Sequence, residues 1–166
     1  MALPLPEPPL ADEHIRLRPW SAHDVDALVD AWADDEIQRW TRVPELRGQA
    51  DALRWIASEQ LRRDRGLALD LVVSPADHGD DTVLGEVGMV PLAGGPSRAE
   101  LGWWVGPQHR RRGVATRAVG LFAGWLRDEL EITDLFAEVD LDNAPSVWVA
   151  EANDLRLRIR RAAEEE

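Results

Sequence analysis

Cysteine, tyrosine and lysine are all missing from this 166-residue chain. Without cysteine there is no disulfide, no thiolate zinc site and no cysteine acyl-enzyme. Without lysine there is no Schiff-base chemistry and no phosphate-loop lysine. All 19 cationic side chains are arginines, a bias that GC-rich coding explains most simply. Without tyrosine, any proton donor must be Ser, Thr, His, Asp, Glu or water. Long apolar runs are absent too: nothing approaches the roughly 20 residues a membrane span needs. The opening Met1-Ala2-Leu3-Pro4-Leu5-Pro6-Glu7-Pro8-Pro9 is too proline-rich for a signal peptide, so a cytoplasmic location is expected. Basic residues are outnumbered 19 to 31, for a net charge of −12. That balance argues against nucleic acid or an anionic membrane as partner, while leaving room for a local anion pocket.

What remains is an ordinary folded composition, 45% hydrophobic and 30% charged, in a length suited to one domain. Residues 1–13 are expected to be a flexible, proline-stiffened tail, 14–160 a single domain, and 161–166 a charged tail. Ile15–Arg18 alternates as a strand. Ser21–Asp24 caps a helix carrying Val25, Leu28, Val29 and Trp32. After a loop over Thr41–Gly48, a second helix is expected from Ala50 to Arg63, with Leu53, Ile56, Ala57 and Leu61 inward. Strands are expected over Leu67–Val73, Thr82–Leu92 and Glu100–Val105, joined by turn-rich segments into an antiparallel meander. A long helix to about Leu130 precedes a strand over Leu135–Leu141, which must then run parallel to Glu100–Val105. Asn143 and Pro145 open a short helix, and Leu155–Ile159 reads as an edge strand.

The most informative segment is Arg110-Arg111-Arg112-Gly113-Val114-Ala115. It fits [Q/R]-x-x-G-x-[G/A], between a strand stopped by Gly106-Pro107 and a helix with Val114, Ala118, Leu121, Phe122, Trp125 and Leu126 on one face. Free amides and a positive dipole end there meet a glycine-bearing loop, which is a ready anion site. A triple arginine alone is usually a solvated patch. This setting makes a pyrophosphate clamp the better reading. His14, His23, His78 and His109 are scattered without metal spacing, so no metal is expected.

Three stretches in this order resemble the GNAT superfamily of acyl-CoA-dependent N-acetyltransferases, in its RimJ/RimL-like branch. They are Leu17-Arg18-Pro19-Trp20 with the Asp24 helix, Glu100–Val105 running into Arg110–Ala115, and Asp142-Asn143-Ala144-Pro145-Ser146 with Val149-Ala150-Glu151. The resemblance spans about residues 15–159. It implies an α+β fold, a mixed sheet of about six strands with helices on both faces, and the family's last strand missing. It implies acetyl-CoA as co-substrate, an acceptor that is a small-molecule amine or protein N-terminus, and direct attack in a ternary complex. A homodimer is compatible with it. The alternative is a non-catalytic acyl-CoA-binding module on the same fold.

By position in the family, the amides of Arg111, Arg112, Gly113, Val114, Ala115 and Thr116 would hold the pyrophosphate, with Arg110 filling the first place of the pattern. Trp104 and Val105 would border a V-shaped gap between strands where pantetheine pairs. Trp103 and Trp104 alternate across their strand, so only one of them is expected to line the cleft. Asn143 and Ser146 match the family's Asn-x-x-Ser. Ala150 stands where many relatives carry a tyrosine, so Ser146 becomes the candidate donor to the CoA sulfur. Glu100 is the first candidate for general base, with Glu138, Asp140 or a water as rivals. Asp154-Leu155 replaces the usual Gly-aromatic pair before the sixth strand. The resemblance also leaves the acceptor unidentified, although the loop over 41–48 and the first two helices are its expected wall.

Overall fold

The computed structural model describes residues 1–160; the charged tail expected over 161–166 lies outside them. Six strands form one sheet in the order β1 to β6: β1 Ile15–Pro19, β2 Leu69–Pro75, β3 Gly85–Pro91, β4 Arg98–Val105, β5 Asp134–Val139 and β6 Arg156–Ile159. The first four are antiparallel neighbours, and β5 and β6 then run parallel to β4. The parallel steps require crossovers, supplied by helix α5 (Val114–Glu129) and helix α6 (Ala144–Ala152). Four shorter helices lie between β1 and β2: α1 Val25–Ala33, α2 Asp35–Trp40, α3 Gln49–Ala57 and α4 Glu59–Asp64.

Strand alternation sorts the sheet into two unlike faces. Leu17, Leu71, Val87, Leu101 and Ala137 pack under α5 and α6, where Phe122 and Leu126 are fully covered. The opposite face carries Arg16, Arg18, Asp70, Glu86, Glu100 and Glu138, and over β1–β3 it is roofed by α1–α4. There the apolar packing is a smaller cluster of Trp20, Leu28, Trp32, Ala52, Ile56 and Val72.

Charged residues under a roof must be paired. Arg18 sends two parallel hydrogen bonds to Asp24, both 2.8 Å, and a third from Nε to Ser74 at 2.9 Å. Asp24 also accepts the Ser21 amide at 2.9 Å, so one buried carboxylate ties β1 to the start of the helical layer. Arg16 reaches Asp81 at 2.6 Å.

Several boundaries depart from expectation. The single helix over Ala50–Arg63 is two, α3 and α4. Ser58 donates to the Trp55 carbonyl at 2.9 Å and competes with the helical ladder at the break. Leu53, Ala57 and Leu61 are exposed, and of the expected inward set only Ile56 is buried. The sheet beneath is polar at this point. Glu59 and Arg63 therefore occupy the covered side of α4, paired at 2.7 Å. Helix α2, absent from the sequence reading, is started by Asp34, whose side chain accepts the Ile37 amide at 3.0 Å. Strand β2 runs two residues later than expected, and β3 is shorter because Asp80 caps a turn through Thr82. Residues 1–13 are extended but packed: Leu3, Leu5 and Leu10 lie against the main core, and the Leu3 amide donates to the Arg63 carbonyl at 2.9 Å.

Replacing Asp24 with alanine strands the Arg18 guanidinium under the helical layer. A loss of roughly 3–5 kcal/mol is expected, as for breaking other buried pairs. Urea unfolding should show a lower midpoint at unchanged slope. Arg156→Ala, which removes an exposed partner of Asp134, should cost under about 1 kcal/mol.

Candidate active site

Strands β4 and β5 are paired only from Arg98↔Asp134 to Leu101↔Ala137. Beyond that, Gly102–Val105 keep β3 on one side and have no strand on the other. On that free edge the Val105 carbonyl is taken by Arg110, and the other outward backbone groups are left for a ligand or water. The chain past β5 turns away through Asp140, whose carboxylate accepts the Asp142 amide at 2.8 Å. Two cavities open on this gap, one of about 510 Å³ and one of about 640 Å³. Both are bordered by Trp40, Thr41, Trp103, Trp104, Asn143 and Ser146, so they meet there. Both tryptophans line the opening, contrary to the alternation argument. An unpaired strand end exposes its two faces to the same gap.

The larger cavity runs along the Arg110–Ala115 loop. Gly113 has φ +74° and precedes the first turn of α5, with no side-chain cap on the helix. The ladder begins only with the Arg117 amide on the Gly113 carbonyl at 3.1 Å, so the amides of Val114, Ala115 and Thr116 are unspent. A Cβ on Gly113 would meet nothing within 4 Å, but its φ disfavours any side chain. Arg111, two residues before it, is also left-handed, at φ +60°.

The three arginines divide their work. Arg110 is a strut: it donates to the Val105 carbonyl at 3.1 Å and to Asp34, the cap of α2, at 2.6 Å. Burial alone would raise the Asp34 carboxyl. The Arg110 bond and the Ile37 amide outweigh it and hold that carboxyl below the ordinary range. Arg111 borders the larger cavity, while the exposed Arg112 does not.

On the other side, Asn143 caps α6, its Oδ1 accepting the Ser146 amide at 3.4 Å. The Ser146 hydroxyl has no partner among the described residues and points to the shared border, whereas the Thr41 hydroxyl is committed to the Ile37 carbonyl at 2.6 Å. Ala150 is fully buried and offers no chemistry.

The smaller cavity is walled by Trp32, Trp40, Trp55 and Trp104 with Val43 and Pro44, so of the 41–48 loop its first four residues border it. Glu100, Glu138 and Asp140 border it, as expected of strand residues on this face. Glu100 is bound by Arg158 at 2.7 Å. Glu138 is bound by Arg160 at 2.9 Å and Arg42 at 3.3 Å. Arg160 is the main cause that keeps the Glu138 carboxyl low.

Glu86 borders the same cavity and was missed in the sequence. It sits on β3 opposite Trp104, and Trp20 Nε1 donates to it at 2.8 Å. Burial pushes its carboxyl up to about 8, with the charge of Asp70 adding to the rise. The indoles of Trp20 and Trp104 and the Arg62 charge oppose it. The available signal was its setting: a lone acid in Leu84–Met89, with Leu84 and Gly88 as its neighbours two residues to either side. Gly88 faces Gly102 across the β3–β4 pair. A Cβ on Gly88 would strike Asp70 Oδ1 at 2.5 Å, whereas a Cβ on Gly102 would meet nothing within 4 Å. The floor beside Glu86 is therefore open.

Residues 14–156 match the family model of the acetyltransferase (GNAT) domain. The chain belongs to the GNAT acetyltransferase family. Its relatives include the uncharacterized N-acetyltransferase p20 of Bacillus licheniformis, 25% identical over 143 residues, covering 83% of this chain and 76% of p20. In fold it is similar to Mycobacterium smegmatis RimJ in complex with CoA-disulfide, with TM-score 0.72 and 18% identity over 86% of this chain and 71% of RimJ. It is also similar to the microcin C7 self-immunity acetyltransferase MccE in complex with acetyl-CoA and AMP, with TM-score 0.73 and 17% identity over 86% and 78% of the two chains. GNAT enzymes use acetyl-CoA as co-substrate, and this GNAT domain has the features such a ligand needs: unspent helix-start amides, a left-handed glycine and a free strand edge.

An unfolded glutamate titrates near 4.5, while Glu86 in the folded GNAT domain titrates near 8. Between these values the folded state keeps a proton that the unfolded chain has lost. The Glu86 contribution to stability therefore falls as pH rises through this window and levels off above it. Glu86→Gln does not titrate. Its stability relative to wild type should climb from pH 4.5 to about 8 in urea melts, and a pH-independent difference would refute the assignment.

Proposed function

We propose that the protein transfers the acetyl group of acetyl-CoA to a primary amine by direct attack in a ternary complex. The observation that carries this reading is the meeting of two cavities at Asn143, Ser146 and the unpaired end of β4. One cavity has the anion-binding loop and the other has carboxylates and tryptophans, so two substrates can face each other there.

Acetyl-CoA, when bound, supplies the activated thioester. The amides of Arg111, Gly113, Val114, Ala115 and Thr116 hold its pyrophosphate, supported by the dipole of a 16-residue helix. Arg112 contributes through its backbone, and Arg110 keeps the loop in shape through Asp34 and Val105. The free edge at Val105 pairs with the pantetheine amides, and the Trp104 side chain borders them. A backbone N–H near Val105 donates to the thioester oxygen, a bond that strengthens as negative charge develops. Asn143 orients the start of α6, and Ser146 gives its proton to the departing sulfur. Glu100 borders the acceptor cavity, and its pairing with Arg158 suits it to ordering the water and side chains around the amine.

Acetyl-CoA at 100 times its dissociation constant should stabilise the fold by about 2.7 kcal/mol, read as a rise in melting temperature. Gly113→Val should remove most of that rise, because a β-branched residue strains the αL turn. Ser146→Ala should lower kcat on the order of 100-fold with little change in acetyl-CoA affinity. Thiol release from acetyl-CoA with a panel of amines tests the activity itself. The reading is lost if no amine gives turnover above background.

A further inference from the structure

The carboxylate of Glu86 has no task in the cofactor half of the site. It borders the acceptor cavity, and the N–H of Trp20 is its neutral partner at 2.8 Å. The nearest guanidinium, Arg62, is spent on Asp70 at 3.4 Å and on the Trp55 ring at 4.3 Å. Other carboxylates at the cavity are already engaged: Glu100 by Arg158, Glu138 by Arg160 and Arg42, and Asp140 by the Asp142 amide. A cation entering the cavity thus meets Glu86 as the acid enclosed by aromatic walls and matched by no guanidinium among the described residues.

Those walls are held in place by one another. Trp55 packs edge-on against Trp32 and Trp20, with ring centroids at 6.3 and 5.6 Å, and Trp20 lies 6.3 Å from Trp104. Indole faces attract an ammonium group and also bury an apolar body. The volume, about 510 Å³, is that of a small-molecule site.

We propose that Glu86 docks and deprotonates the acceptor, and that the acceptor is a small primary amine with an apolar or aromatic body and no second cationic group. The proposal rests on the acetyl-transfer reading above and adds to it the substrate class and the base. The ammonium gives one proton to a Glu86 carboxylate oxygen. The freed lone pair forms the nitrogen–carbon bond to the acetyl carbonyl carbon as the carbon–sulfur bond breaks. Sulfur leaves with the electron pair and takes the Ser146 proton, and the second proton of the nitrogen restores Ser146. One amide and one thiol result, and Glu86 returns its proton to solvent.

Burial supports this role: the site without an amine keeps Glu86 protonated at neutral pH. An entering ammonium favours the ionised form, so that proton goes to solvent and leaves a carboxylate able to take the amine's proton. The groups that face it are Asp70 from β2, Arg62 from α4 and the indoles of Trp20 and Trp104, while Glu59 acts on Asp70. Glutamine has the shape of the protonated acid and can still accept the Trp20 bond, so Glu86→Gln should fold.

The test combines rates and binding. Initial rates of thiol release are measured with phenethylamine, butylamine, spermidine and an Ala-started peptide, and phenethylamine binding to the CoA-saturated protein is measured by calorimetry. Phenethylamine is expected to exceed spermidine and the peptide at least tenfold in kcat/KM. Glu86→Gln should lower kcat on the order of 100-fold, abolish the Glu86 limb of the pH profile and weaken phenethylamine binding at least tenfold, while acetyl-CoA affinity is kept. Wild-type rate and pH profile in Glu86→Gln would overturn the role of Glu86. A preference for spermidine or the peptide, or no phenethylamine binding by wild type, would overturn the substrate class. In each of those cases turnover of some amine leaves the acetyl-transfer reading standing. Absence of both acetyl-CoA binding and turnover would remove that reading and the inference with it.

Discussion

Everything at the site depends on the loss of pairing between β4 and β5 after four residues. A parallel pair that continued to Val105 would satisfy its own backbone and close the gap. By separating, the two strands leave hydrogen-bonding groups unspent in the middle of a sheet, a condition a fold sustains only where a ligand or water completes it. The divergence also sets what each strand's continuation can do. Past β4 the chain turns through Gly106-Pro107 into the anion loop, and past β5 it turns through Asp140 and Asn143 into α6. The helix starts thus arrive on opposite lips of one opening.

The second organising fact is the polarity of one sheet face. A sheet roofed by helices is commonly apolar on both sides. Here the α1–α4 face carries a row of charges from Arg16 to Arg158, and most find an opposite partner on a neighbouring strand or on the roof. Such pairs hold elements in register more than they add stability. Glu86 breaks the pattern, being a half-buried acid answered by an indole. A local conflict of this kind, retained in an otherwise consistent fold, is where function is expected to reside.

Much of this was legible before any coordinates. The alternation in Leu135–Val139, the amphipathic run after Gly113 and the cap at Asn143 are short-range signals, and the parallel order of β4 and β5 follows from the helix between them. The anion-binding role proposed for the loop was read from its flanks. What escaped were features set by tertiary context. The break at Ser58 depends on a serine bonding its own helix, and Leu53 faces outward because Ala52 and Ile56 form the face that α3 buries in the tryptophan cluster. That Arg110 is a strut required knowing that Asp34, 76 residues earlier, lies beside it. Glu86 looked like one more strand glutamate, since only the folded tryptophans reveal that it is enclosed.

The two facing glycines of β3 and β4 carry opposite constraints. At Gly88 the space of a side chain is already occupied by Asp70, so the position belongs to the architecture. At Gly102 the space is void and opens into the smaller cavity, so nothing in the packing dictates the residue. The reach of the pocket is set there by a single hydrogen atom. Side chains of graded size at this one position can therefore rescale the cavity one carbon at a time, with the sheet, the Arg110–Ala115 loop and Glu86 left as they are.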